Sequence, residues 1–166
     1  MDDAEIQYVI ENAKEITQSF RRFILINEQI TKKLNNYFNY SANDPNSFKV
    51  DNHWGAASTE GLMKSRIKKV LKIKDEKAQF NIYPRYTDST IENKIIINYS
   101  FGKTDGLIMD YFEEKLKEKY SDLDSSEDDF LIIRKVYSGI DFVNVVCKDA
   151  ISIFEDLKEI IKSYCS

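Results

Sequence analysis

The clearest pattern lies in the first part of the chain. From Ile6 the apolar residues step by three and four through Val9, Ala13, Ile16, Phe20 and Phe23, and the stripe runs on through Asn27, Ile30, Leu34 and Tyr37. This spacing keeps one side of a helix apolar, and it predicts a long amphipathic helix over 3–38. With Ile6 as the first heptad position, Asn27 falls at a seam position, where an asparagine can fix the register of a helical dimer. The flanking positions, however, carry Ile10, Ile24 and Ile26 beside mostly uncharged polar residues, where a zipper places complementary charges. The stripe therefore points first to packing on the protein's own core. Self-association through Ile6, Phe20, Phe23, Asn27, Ile30 and Leu34 is the second expectation.

Past a polar turn the pattern shortens. "FKVDN" reads as a short strand. "STEGLMKSRIKKVLKI" reads as a helix capped near Ser58 or Thr59, with Leu62, Met63, Ile67, Val70 and Leu71 on its apolar side, making 48–73 a βα segment. "QFNIYPRY" alternates, and Pro84, with no N–H to donate, marks it as an edge strand. It forms a hairpin with "NKIIINYSF", and a helix burying Phe112 and Leu116 completes a ββα unit over 79–120. "FLIIRKVY" and "IDFVNVVC" read as a second hairpin turning at Ser138–Gly139, and the helix that follows makes a second ββα unit over 130–164. Consecutive hairpins each followed by a helix predict an α+β fold: a mainly antiparallel sheet of four to five strands with helices on one face. The 166 residues suit one domain.

Candidate chemistry changes this picture little. "FGKTDG" between a strand and a helix has the order of a phosphate-binding loop, but the glycine required five residues earlier is replaced by Ile97. Gly102 is expected instead to break the strand, with Thr104 or Asp105 capping the helix. Glu92 and Lys94 in "IENK" have the form of a metal-dependent nuclease motif, which is kept as a further alternative; acid-x-Lys pairs recur at Asp75/Lys77, Glu113/Lys115 and Asp156/Lys158, so the pattern is weakly specific. Asp51 and His53 could form a general base with Ser58 or Thr59 as nucleophile, but nothing specifies oxyanion donors. "DLDSSEDD" opens like a calcium loop, yet Glu127 replaces its glycine and Ile133 stands where the bidentate glutamate belongs. One histidine and two cysteines, Cys147 and Cys165, cannot build a mixed zinc site, and both cysteines read as packing residues. No catalytic residue, metal or cofactor is assigned.

Charge is more informative. No apolar run approaches a membrane span and the N-terminus opens with acids, so a cytoplasmic, non-membrane protein is expected. Within a net charge of -4, Lys64, Arg66, Lys68, Lys69, Lys72, Lys74 and Lys77 crowd the proposed helix and its exit at 64–77, with Lys64, Arg66, Lys68, Lys69 and Lys72 the candidate contacts. From Asp105 to Asp129 ten acids face three lysines. The leading expectation is a non-enzymatic protein-binding factor of bacterial or phage type: a small inhibitor, immunity or regulatory protein. It would act through an acidic surface of Asp110, Glu113, Glu114, Glu118, Asp122, Asp124, Glu127, Asp128 and Asp129. The alternative is a nucleic-acid module using the basic helix.

Overall fold

The structure is a computed structural model, and it describes residues 3–41, 43–54, 63–85, 94–105, 107–127 and 129–166. Two N-terminal helices, α1 (Asp3–Glu11) and α2 (Ala13–Tyr37), precede four strands, β1 (Lys49–Trp54), β2 (Met63–Ile73), β3 (Glu76–Arg85) and β4 (Ile95–Asp105). Helix α3 (Met109–Lys119), strands β5 (Asp124–Glu127) and β6 (Phe130–Tyr137), and helix α4 (Phe142–Cys165) follow. The strands form one six-stranded sheet in the order β1-β2-β3-β4-β6-β5, antiparallel at every pairing. The α+β architecture is the expected one, with a larger sheet.

Several elements differ from the sequence expectation, each for a physical reason. The 3–38 helix is interrupted at Asn12 alone, where ψ opens to 11° while its N–H still donates to the Tyr8 carbonyl (3.0 Å). The basic segment at 63–73 is a strand, not a helix: Ser65, Ile67, Lys69 and Ile73 are buried while Val70 and Lys72 are exposed. A turn at Lys74, held at φ 55°, folds it directly onto β3. Pro84 is not on an edge strand, since β3 lies between β2 and β4. Pairing with β2 ends at Ile82, so the missing N–H falls where β3 continues alongside β4. Residues 142–147 begin α4 instead of a strand, after Gly139 (φ 98°) turns the chain out of β6. The hairpin partner of β6 is β5, drawn from the acidic "DLDSSEDD" segment, instead of residues 140–147.

Gly102 lies within β4, which continues to Asp105, and α3 starts only after Ile108, so neither Thr104 nor Asp105 stands at its N-cap position. Its role is spatial. A Cβ there would overlap the Phe130 ring and the Asp129 carbonyl, so only glycine lets Phe130 of β6 lie across β4. Gly102→Ala is expected to destabilise the protein by about 1–3 kcal/mol, read as a lower urea midpoint.

Helices α2, α3 and α4 cover one sheet face. Ile67, Phe80, Ile82, Ile97, Tyr99 and Phe101 meet Ile30 and Leu34 of α2, Phe112 of α3 and Ile153, Phe154 and Leu157 of α4 in one core. Phe154 stands 5.2 Å from the Phe38 ring, 5.2 Å from Phe48 and 5.3 Å from Phe80. Asn27 is fully buried and donates to Ser65 Oγ (2.7 Å), so it, Ile30 and Leu34 serve the protein's own core.

Two polar features are embedded in that core. Lys69 points inward, its ammonium 3.9 Å from the centre of the Tyr40 ring and donating to the Asn46 carbonyl. Burial pushes its pKa down to about 8. The Tyr99 and Tyr137 hydroxyls lie 2.6 Å apart, and Tyr137 donates to Asp149 (2.7 Å), which also pairs with Lys135 (3.2 Å).

These groups set an alkaline stability profile. Between about pH 8 and 10.5 the unfolded chain holds the Lys69 proton more tightly than the folded one, so stability rises with pH there. Burial raises the Cys147 thiol from 9.0 to about 11, and from pH 9 its term opposes that rise. Burial also raises Tyr99 and Tyr137 above their ordinary 10.0, so above pH 10 the unfolded chain releases these protons first and stability falls. Denaturant midpoints are expected to peak near pH 9, and Lys69→Met is expected to abolish the rising limb.

Candidate nucleic-acid interface

Alternation along a strand sends successive side chains to opposite faces. The register therefore decides which charges share a surface. On β2, Arg66, Lys68, Val70 and Lys72 point away from the helices, opposite the buried row of Ser65, Ile67, Lys69 and Ile73. Lys49 pairs across from Lys68, and Asp51 from Arg66. On the other side Lys68 faces Asn81, and Lys72 faces Lys77. Asn81 faces Ser100 and Tyr83 faces Asn98, while Asn98 in turn faces Arg134 of β6.

The outer face thus carries Lys49, Arg66, Lys68, Lys72, Lys77 and Arg134, with Asp51 and Asp124 the acids among its described side chains. Asp51 Oδ2 accepts from Arg66 Nε and Nη2 at 3.1 and 3.0 Å, leaving the other cations to set the sign of the surface. In the middle lies a polar floor: Gln79, Asn81 and Asn98 are buried. Asn81 Nδ2 donates to Ser100 Oγ (3.2 Å), and Asn81 Oδ1 has no partner among the described residues. Arg134 Nε donates to Asn98 Oδ1 (3.3 Å). Tyr83 and Phe130 are half-buried on the same face.

The residues expected from sequence separate under this register. Arg66, Lys68 and Lys72 come together, whereas Lys69 is on the opposite face and leaves the patch. Lys64 sits opposite His53 in the β1–β2 register, and both side chains lie outside the described residues. Lys49 and Arg134 were missed, because only strand pairing brings them to Lys68, while Lys77, counted in the basic run, joins from β3. The acidic surface is largely offset within itself. On α3, Lys117 pairs with Glu113, and Lys115 pairs with Glu118 (2.6 Å) and Glu114 (3.5 Å). Lys103 pairs with Asp129 (3.2 Å), and Asp124 accepts from the Ser126 N–H (2.9 Å). Asp110 and Asp122 are exposed, while Asp128 and the Glu127 side chain lie outside the described residues.

No family model, curated protein or solved structure matches this chain. Function rests on the site alone. The "IENK" glutamate, Ser58 and Thr59 fall outside the described residues. No group of His, Cys, Asp and Glu able to hold a metal occurs among the described residues. Cys147 is buried and Cys165 exposed, both as free thiols, and no described helix is long and apolar enough to cross a membrane.

Proposed function

We propose that the protein binds single-stranded nucleic acid across the outer face of its sheet. The observation that carries this reading is the register: it gathers six cations from β1, β2, β3 and β6 on one face of a chain whose net charge is -4. Cations two residues apart on β2 are spaced by about 6.8 Å, a step that suits the phosphates of an extended strand. Bases lying over the sheet would meet the half-buried rings of Tyr83 and Phe130 as stacking surfaces. A duplex is a rigid cylinder and reaches a broad sheet only along a line, which favours a single strand. The overall negative charge confines attraction to this face and makes binding steeply salt-dependent.

The test is fluorescence anisotropy with labelled single-stranded DNA, single-stranded RNA and duplex of equal length, from low to physiological salt. Single strands are expected to bind more tightly than duplex, with affinity falling as salt rises. Failure of every nucleic acid to bind at low salt would return the protein-binding reading, through Asp110, Asp122 and their neighbours, to first place.

A further inference from the structure

The stripe that anchors α2 continues past the body. Asn27, Ile30 and Leu34 are fully buried on the protein's own core, yet none of the described side chains between Asp3 and Arg22 is buried. Ile6 is 42% exposed and Val9 44%, on the same heptad line, and Tyr8 and Ile10 are more exposed still. Because the N–H of Asn12 donates to Tyr8, the helical hydrogen bonding carries across the interruption. Residues 3–22 make an arm about 30 Å long, along which the stripe residues Ile6, Val9 and Ala13 are exposed.

Charge along the arm is segregated. Asp3 and Glu5 occupy the tip, Arg21 and Arg22 the root, and Glu11, Lys14 and Glu15 lie between them. We propose that the arms of two copies of this chain pair antiparallel. Heptad positions match when Ile6 lies beside Phe23 of the second copy and Val9 beside position 20, which puts the two-fold axis between Lys14 and Glu15. Each acidic tip then comes within about a turn of the other copy's Arg21 and Arg22. Parallel pairing sets acids on acids and arginines on arginines. The second copy is favoured over any other occupant because both the apolar stripe and the charge gradient are self-complementary in this one orientation. The interface is separate from the basic sheet face, and neither depends on the other.

Sedimentation equilibrium of the full chain, from low to high micromolar concentration, tests the proposal. A dimer is expected, and Ile6→Lys with Val9→Lys is expected to give a folded monomer, since neither side chain contributes to the core. Asp3→Lys/Glu5→Lys and Arg21→Glu/Arg22→Glu are each expected to weaken dimerisation roughly tenfold, and combining all four to restore it. A wild-type monomer at high micromolar concentration overturns the proposal. So does a dimer that survives the lysine substitutions with an unchanged circular dichroism spectrum. A dimer indifferent to either charge reversal alone eliminates the antiparallel arrangement.

Discussion

Lys68→Glu with Lys72→Glu is expected to reduce single-strand affinity by about tenfold to a hundredfold and to flatten the slope of log affinity against log salt by about 1 to 2. Both side chains stand on the outer row of β2, so the change removes two phosphate partners and sets two repulsive charges in their place. Lys69→Met is the informative control. Lys69 is adjacent in sequence and carries the same charge, but its ammonium faces Tyr40 on the helix side of the sheet. Its replacement is expected to leave affinity and salt slope unchanged. A helical arrangement of 64–72 would group these lysines differently, and equal losses at Lys68 and Lys69 would exclude the strand register as the source of binding. Reversing Glu113, Glu114 and Glu118 to lysine is expected to have only a weak, long-range effect on single-strand binding.

Phe154→Ala is expected to lower stability by about 3–5 kcal/mol, enough to leave much of the protein unfolded at physiological temperature. Phe154 is 1% exposed and touches rings from three directions: Phe38 after α2, Phe48 before β1 and Phe80 of β3. No single neighbour can close the space, because each is fixed by its own element, so a cavity remains and adds to the lost transfer energy. The same cluster walls in the ammonium of Lys69, at 5.2 Å from Phe48 and 5.5 Å from Phe154. Phe154→Leu, which keeps most of the volume, is expected to lose less than half as much. Urea unfolding followed by far-ultraviolet circular dichroism measures both.

Sequence patterning located the elements with long, unambiguous periods. Helix α2 was legible because its stripe repeats over several turns, and the β3–β4 hairpin because Phe80 and Ile82 face Phe101 and Tyr99 across a clean alternation. β2 was not, because its inward row contains Lys69 and its outward row contains Val70. Those two residues, each of the opposite polarity to its row, erase the two-residue period and leave Ile67, Val70 and Leu71 resembling a helix face. The start of α4 is rich in valine, which favours strands until Val146, Cys147 and Ala150 are seen packing at helical spacing. β5 contains no apolar residue, so a strand made of Asp124 to Glu127 has no signal to read. The basic cluster was visible as charge. Its composition was not, since Lys49 and Arg134 join it and Lys69 leaves it only through pairing between strands, which no local pattern records.

The sheet order also has a consequence for synthesis. β4 is central, but its second partner β6 lies beyond α3 and β5, with Ile95 meeting Tyr137 and Phe101 meeting Leu131. β1 to β4 can pair in succession as they leave the ribosome, each with the strand just made. At roughly 5–20 residues per second, several seconds then pass before β6 follows. During that interval one side of β4 shows unpaired backbone donors and acceptors beside Ile97, Tyr99 and Phe101, a ready template for a neighbouring nascent chain. A chain cut after Tyr120 keeps that edge permanently, and its expected fate is insoluble aggregate instead of a smaller soluble protein.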